Sequence, residues 1–220
     1  MRVLFISQPN KYKQKPDFPP IGVAYLGAIA HAKGHQVLLL DSGLTGMKDV
    51  IKQTKEFNPD FIGVSCFTIN REMVWKLCEI LQEISPEAFL AVGGPHASIY
   101  PEHIFIKTKA KAVIVGEGEE TISELLNALQ NGNGLSRVNG IVFRNKNGGI
   151  ERTRPREQIQ DLDKISFPFY EGFKKFNFKN YGGLACLPKP TAPIITSRGC
   201  VFDCTYCGSV NFWGKRWRCR

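Results

Sequence analysis

Short apolar runs alternate with amphipathic stretches from residue 2 to about residue 130. The runs are rich in β-branched residues, which is typical of strands buried on both faces. The predicted strands are Val3–Ile6, Gln36–Leu40, Phe61–Ser65, Phe89–Val92 and Ala112–Val115. Apolar residues at helical spacing predict helices between them, at Ile21–Lys33, Met47–Phe57, Glu72–Ile84 and Glu119–Leu129.

Strands that alternate with helices imply βαβ units and a parallel sheet covered on both faces. We therefore predict an α/β fold, with a five-stranded parallel sheet of flavodoxin-like or Rossmann-like order. In such sheets, ligands bind beyond the carboxyl ends of the strands. Those ends carry glycines and small hydroxyl residues here, and they leave bare backbone for a large ligand. Because glycine is also common in ordinary turns, this half of the chain does not identify its ligand.

The pattern changes after residue 130. Arg137–Arg144 and Gly149–Arg154 predict a hairpin around a turn at residues 145–148. An irregular stretch rich in Phe, Tyr, Pro and Gly follows at residues 158–190, and a loop of this length is usually a linker or a packing segment. We therefore predict an α/β domain at residues 1–140, a hairpin and aromatic-rich linker at 141–190, and the start of a second domain at 191–220.

Composition narrows the class of protein. Apolar residues make up 43% of the 220 residues and charged residues 22%, so the chain can bury a core and is not intrinsically disordered. No apolar run reaches the roughly 20 residues that span a bilayer. The N-terminus lacks the cleavage site of a signal peptide. We expect a soluble, cytoplasmic protein.

The net charge of +9 lies entirely in the second part of the chain. Residues 141–220 carry 15 Lys and Arg against 6 Asp and Glu, whereas residues 1–140 carry 14 of each. A basic excess suggests nucleic acid as a partner. Because no nucleic-acid-binding motif accompanies it, we expect no nucleic-acid partner.

The cysteines carry the most specific signal. Cys200, Cys204 and Cys207 form a CxxxCxxC motif after a short predicted strand. In a chain without a secretory signal, closely spaced thiols favour metal binding over disulfides. Three thiolates can hold three corners of a cubane iron–sulfur cluster and leave one iron open to a substrate or cofactor. The alternative is a structural zinc site with Cys219 as fourth ligand, although the uneven spacing is unusual for zinc.

The cysteine motif, with Tyr206 before its third cysteine, resembles the signature of radical S-adenosylmethionine enzymes. SRGCVFDCTYCGS and FWGKRWRCR are similar to the start of that domain in the cobalamin-binding subgroup. The first half is similar to the cobalamin-binding domain of that subgroup, in the strings PPIGVAYLGAIAHAKGHQVLLLD, GVSCFT, AVGGPHAS and VGEGEETISELL. The resemblance therefore covers nearly the whole chain.

The resemblance implies three cofactors. Cys200, Cys204 and Cys207 would bind a [4Fe–4S] cluster whose free iron holds the amino and carboxylate groups of S-adenosylmethionine, with Tyr206 and Gly208 near that cofactor. One electron, from a donor such as flavodoxin or ferredoxin, would cleave the sulfonium and give a 5′-deoxyadenosyl radical. Cobalamin would lie on the carboxyl ends of the strands, at Ser65, Thr68, Gly93, Gly94, Gly116 and Glu117.

The chain departs from the wider family pattern in two respects. The Asp-x-His-x-x-Gly motif that supplies a lower cobalt ligand is absent from the loop at Asn10–Lys15, so we expect cobalt without a histidine below it. The sequence also ends some 30 residues into a domain whose barrel needs about 200–250 residues. We therefore expect the N-terminal piece of a longer protein, inactive alone, whose radical domain is a truncated (β/α) barrel.

The resemblance leaves the reaction open between methyl transfer and oxidative cyclisation of a small-molecule substrate. A different class of function is a non-catalytic module that binds cobalamin, zinc or an iron–sulfur cluster. Coding sequence beyond residue 220 that encodes further strands would favour the enzyme, whereas a stop codon there would favour the binding module.

Overall fold

The computed structural model describes residues 1–7, 15–174, 176–183 and 190–220. Seven strands form one sheet and two further strands form a small ribbon. The strands are β1 (Arg2–Ile6), β2 (Gln36–Leu40), β3 (Phe61–Ser65), β4 (Phe89–Gly93), β5 (Ala112–Ile114), β6 (Ile141–Arg144), β7 (Ile150–Arg152), β8 (Ser197–Arg198) and β9 (Arg218–Cys219). The helices are α1 (Ile21–Ala32), α2 (Ser42–Thr45), α3 (Met47–Phe57), α4 (Arg71–Ile84), α5 (Pro95–Ile99), α6 (Pro101–Lys107), α7 (Glu119–Gln130) and α8 (Ser209–Trp213).

The main sheet has the order β2-β1-β3-β4-β5-β6-β7. Its first five strands are parallel and follow the flavodoxin-like order. The α/β prediction is confirmed, but the sheet has seven strands rather than five. The predicted hairpin forms β6 and β7, and β6 pairs antiparallel with the edge of β5. The apolar side chains of Ile141, Val142 and Phe143 are buried by this pairing, which covers an otherwise open sheet edge.

Helices cover both faces of the sheet, and each face has its own core. Helices α1 and α7 pack together over one face, where Phe5, Phe61 and Ile122 are fully buried. Helices α3 and α4 contact each other over the opposite face, around Ile62 and Leu77. Burial of these strands on both faces explains why their sequences are continuously apolar rather than alternating.

The connecting region packs against the sheet domain. Its described residues form three 3₁₀ helices, at Leu162–Lys164, Tyr170–Gly172 and Phe178–Asn180. The Phe169 N–H donates to the Ala24 carbonyl of α1, and the Phe169 ring stacks on His31 at 4.4 Å between centroids. These contacts fix the region against α1. Residues 175 and 184–189 of the predicted linker lie outside the described residues, as do residues 8–14 of the loop after β1.

The cysteine segment is closed by a two-stranded ribbon. The short strand predicted before Cys200 is β8, and it pairs antiparallel with β9 across a loop of residues 199–217. Helix α8 lies inside this loop and contacts α5 of the sheet domain. The described residues contain no barrel, and β8 pairs with β9 alone.

None of the helices in the described ranges is both long enough and apolar enough to cross a membrane.

Candidate functional site

A cavity of about 420 Å³ lies at the carboxyl edge of the parallel strands. Its walls come from three parts of the chain: the sheet edge, helix α1 with the two residues before it, and the cysteine segment. Residues of the three walls include Gly63, Ser65, Gly93, Gly94, Gly116, Glu117, Pro19, Pro20, Tyr25, Leu26, Arg198, Phe212 and Trp213. The cavity therefore lies between the sheet and the segment that carries the CxxxCxxC motif.

Glycine turns give this edge its bare surface. Gly94 has φ of +95°, and a Cβ there would lie 2.9 Å from the Cys66 carbonyl oxygen. Gly116 has φ of +76°, and a Cβ there would meet only open space. The Ser98 hydroxyl links the two turns, since it accepts from the Gly116 N–H at 2.9 Å and donates to the Gly94 carbonyl at 2.9 Å. A broad ligand can thus lie directly against backbone at this edge.

Five of the six residues that the resemblance assigned to cobalamin line the cavity, namely Ser65, Gly93, Gly94, Gly116 and Glu117. Thr68 does not line it. Thr68 begins a 3₁₀ helix and forms a hydrogen bond with His96 Nδ1 at 3.1 Å. Residues that follow a strand by more than two positions can turn away from the sheet edge, and Thr68 is three positions beyond Ser65.

His96 is buried beside the cavity without lining it. Burial lowers the pKa of its imidazole, and electrostatic interactions with His103 and Arg71 lower that pKa further. The ring is therefore neutral at pH 7. No histidine occurs among the cavity-lining residues of the described chain.

Glu117 has a role that the sequence did not reveal. Its carboxylate accepts hydrogen bonds from the Ile159 N–H at 2.8 Å and from Nη1 of both Arg198 and Arg218 at 3.0 Å. Glu119 pairs with Nη2 of Arg198. All four charged side chains are at most 9% exposed. The sequence offers little to predict this network. Glu117 and Glu119 follow β5, and Arg198 and Arg218 lie before and after the cysteine motif.

Arg198 also lies between two aromatic rings. Its guanidinium carbon is 4.9 Å from the Trp213 ring centroid and 5.7 Å from that of Tyr25. Cation–π contacts of this kind add to the ion pairs and favour arginine over lysine. The guanidinium thus links α1, the sheet edge and α8 at one end of the cavity.

The motif cysteines lie on the surface loop between β8 and β9. Cys204 and Cys207 are exposed, Cys200 is half-buried, and all three are free thiols. The Cys207 N–H donates to the Cys204 carbonyl at 3.0 Å, and the Ser209 N–H lies 3.5 Å from Cys207 Sγ. Tyr206 is 91% exposed, and Gly208 directly precedes α8.

The donor set of this loop suits an iron–sulfur cluster, because three free thiols, which are soft ligands, follow one another on one loop. In this structure the thiols are not gathered, and no three His, Cys, Asp or Glu side chains within the described residues form a metal-binding group. Cys219 lies on β9, opposite Ser197, rather than on the loop itself.

The two early cysteines, Cys66 and Cys78, are buried among apolar side chains. Burial raises the pKa of the Cys66 thiol to about 12, and it raises the pKa of the Cys78 thiol as well. Both are protonated at pH 7 and pack as small apolar groups.

Comparison with known proteins places this geometry in a family. Residues 12–126 match the family described as B12 binding domain. The chain is 32% identical over 99% of its length to an uncharacterized methyltransferase of Pyrococcus horikoshii, 47% of which is covered. It is 34% identical over its full length to the anaerobic magnesium-protoporphyrin IX monomethyl ester cyclase of Synechocystis, 44% of which is covered.

Two solved structures share the fold. The cobalamin-dependent S-adenosylmethionine radical enzyme OxsB, with aqua-cobalamin and S-adenosylmethionine bound, superposes with a TM-score of 0.83 at 19% identity, over 99% of this chain and 29% of that one. The radical S-adenosylmethionine methyltransferase TsrM of Kitasatospora setae, with cobalamin and a [4Fe-4S] cluster bound, superposes with a TM-score of 0.72 at 18% identity. The superposition covers 100% of this chain and 43% of that one.

The chain spans about half the length of the curated relatives that it matches. The family match covers most of the sheet domain, from before α1 into α7, and the matches to relatives extend through the cysteine segment. The chain therefore belongs to the B12-binding domain family, in the group whose members are cobalamin-binding radical S-adenosylmethionine enzymes.

Proposed function

We propose that this chain is the cofactor-binding part of a cobalamin-dependent radical S-adenosylmethionine enzyme that modifies a small molecule at an unactivated carbon. One observation carries the proposal: the cavity at the sheet edge shares its walls with the cysteine segment, through Arg198, Phe212 and Trp213. A ligand in this cavity is adjacent to the segment that bears the CxxxCxxC loop. The relatives include a methyltransferase and a cyclase, which supports methyl transfer or oxidative cyclisation as the reaction.

The cavity residues suit one face of a corrin. Backbone at Gly93, Gly94 and Gly116 can approach the ligand closely because no side chain intervenes, and Ser65 offers a hydroxyl at the same edge. The cavity wall is mostly apolar, with Tyr25 and Trp213 at the Arg198 end, and this excludes water from the ligand face. With no histidine on the described wall, cobalt in this cavity would have no imidazole ligand from those residues.

The cysteine loop suits the other two cofactors, the [4Fe–4S] cluster and S-adenosylmethionine. Cys200, Cys204 and Cys207 would hold a [4Fe–4S] cluster, and Tyr206 and Gly208 would border S-adenosylmethionine. The exposure of Cys204 and Cys207 leaves the loop accessible to an electron donor such as flavodoxin or ferredoxin. When bound, these cofactors supply radical and methyl-transfer chemistry that no side chain provides.

Filling the cavity tests the proposal. Gly93 lines the cavity with ordinary backbone angles, and a Cβ there would make only normal contacts with Ile114, at 3.6 Å. We expect Gly93→Leu to weaken hydroxocobalamin binding by about tenfold or more, because the added side chain occupies the ligand's place. The measurement is a titration followed by visible absorption.

Gly134→Leu is the matched control, since Gly134 lies outside the cavity and a Cβ there would meet only the Ser136 hydroxyl at 3.6 Å. It should bind cobalamin as the parent chain does. Equal affinities for the two variants, or no binding by the parent chain, would contradict the proposal.

A further inference from the structure

Two arginines face each other in the ribbon that closes the cysteine loop. In the β8–β9 ladder, Arg198 is directly opposite Arg218, and both side chains are at most 3% exposed. Like charges directly opposite each other destabilise a strand pair, and burial of both charges increases that cost. The ribbon therefore needs a counter-ion between the two guanidinium groups.

The ribbon is also too short to be stable alone. Each strand contributes two residues, Ser197–Arg198 and Arg218–Cys219. Even a longer isolated hairpin is marginally stable in water. One further backbone contact closes the outer side, where the Arg220 N–H donates to the Thr196 carbonyl at 2.8 Å. The stability of the ribbon must therefore come from the residues that pack against it.

Glu117 supplies the missing charge. Its carboxylate touches both arginines at 3.0 Å, and it also accepts the Ile159 N–H of the connecting region. Arg218 in turn donates to the carbonyls of Ile159 and Trp213, at 2.6 and 2.9 Å. With Glu119 on Arg198, the buried network contains two positive and two negative groups and is neutral.

The loop geometry leaves little freedom between this network and the first motif cysteine. Gly199 separates Arg198 from Cys200 with φ of +89°, and any Cβ there would collide with the Arg216 carbonyl. The Cys200 N–H donates to the Gly214 carbonyl at 3.2 Å. Fixing Arg198 and Arg218 therefore fixes the backbone that enters and leaves the loop at residues 199–217.

We propose that Glu117, supported by Glu119, is a positioning residue: its carboxylate closes the base of the cysteine loop and holds that loop against the sheet edge. The closure itself follows from contacts within this chain. Its consequence for cluster binding rests on the proposed function, so the two are measured separately.

The first measurement is hydrogen–deuterium exchange of the full chain without cofactors. Glu117→Gln keeps the shape of the side chain but leaves an excess positive charge in the buried network. We expect peptides covering residues 196–200 and 216–220 to exchange about tenfold faster or more, because one member of a buried ion pair has been removed. Glu120→Gln is the control, since Glu120 lies on α7 next to Glu119, is 57% exposed, and pairs with Arg156 instead.

A double variant keeps the test valid if Glu117→Gln loosens the whole domain. Glu117→Gln combined with Arg218→Gln removes one charge of each sign and leaves the Arg198–Glu119 pair. Slower ribbon exchange in the double variant than in Glu117→Gln would support the closure. Two results would overturn the closure. One is equal ribbon exchange in Glu117→Gln and Glu120→Gln, and the other is ribbon exchange in the double variant that is no slower than in Glu117→Gln.

The second measurement concerns the cluster. After reconstitution with iron and sulfide, we expect Glu117→Gln to lose iron to a chelator about tenfold faster than Glu120→Gln, at equal thermal stability of the sheet domain. Equal rates of iron loss would overturn the positioning role. If the parent chain takes up no cluster, the proposed function fails, while the exchange data still decide whether Glu117 closes the loop.

Discussion

Glycine is required for different reasons at two positions on the carboxyl edge of the sheet, although φ is positive at both. Gly94 is required by its φ and by the closeness of Cys66, whose carbonyl oxygen would contact any Cβ. Gly116 is required by its φ alone, because the space beyond it is open to the cavity. The sequence showed that glycines cluster at this edge, but it could not separate these roles, because the separation depends on a neighbouring strand.

Gly94→Ala should be more destabilising than an alanine at an open glycine. We expect it to lower the free energy of unfolding by about 3 kcal/mol, from left-handed strain together with the contact on Cys66. Gly46 is the control, since it has φ of +80° and a Cβ there would have no neighbouring atom within 4 Å. Gly46→Ala should cost about 1–2 kcal/mol from strain alone. Urea unfolding measures both values, and equal losses would contradict the close packing at Gly94.

Single residues also mark the limit of sequence analysis. The CxxxCxxC motif is local, so three cysteines within eight positions are visible without a structure. The role of Glu117 is not local, because its partners Arg198 and Arg218 follow it by 81 and 101 residues. Nothing in the charge pattern distinguishes these two arginines from the exposed basic residues around them.

At the scale of elements, the strongly periodic segments were predicted to within one or two residues. Helix α3 and strands β2 and β3 have the predicted bounds. Helices α5 and α6 were not predicted, because seven residues or fewer are too short to show helical periodicity. The hairpin was predicted, but its attachment to β5 was not, since pairing between distant strands has no local signal.

Arg156 connects the chain that follows the hairpin to α7. Arg156, 9% exposed, pairs with Glu120 and Glu124 of α7 and donates to the Thr121 hydroxyl at 2.7 Å. We expect Arg156→Gln to lower the free energy of unfolding by about 2 kcal/mol, because several charge-assisted hydrogen bonds are lost together. Thermal or urea unfolding measures the change.

Arg152→Gln is the control for this prediction. Its pair with Glu102 spans 3.5 Å, and both side chains are more than half exposed. Exposed pairs contribute little, so we expect a change within about 0.5 kcal/mol. A similar loss in the two variants would mean that Arg156 does not anchor the hairpin.

At the scale of the whole molecule, the two parts of the chain are complementary in charge where they meet. The excess of positive charge after residue 140 is not accompanied by a nucleic-acid-binding motif. Arg156, Arg198 and Arg218 instead pair with glutamates at the end of β5 and on α7. Part of the basic excess therefore holds the cysteine segment and the hairpin on the sheet domain, and the cavity lies between the parts that these pairs join.

We propose that one chain combines a cobalamin cavity with a three-cysteine cluster loop. This proposal is tested most directly by the iron, sulfide and zinc content per chain after anaerobic reconstitution, for the parent chain, Cys219→Ala and the triple variant of Cys200, Cys204 and Cys207 to Ala. We predict about four iron and four sulfide in the parent chain and in Cys219→Ala, and neither in the triple variant. Binding of one zinc without sulfide by the parent chain, with loss of that zinc in Cys219→Ala, would contradict the cluster proposal.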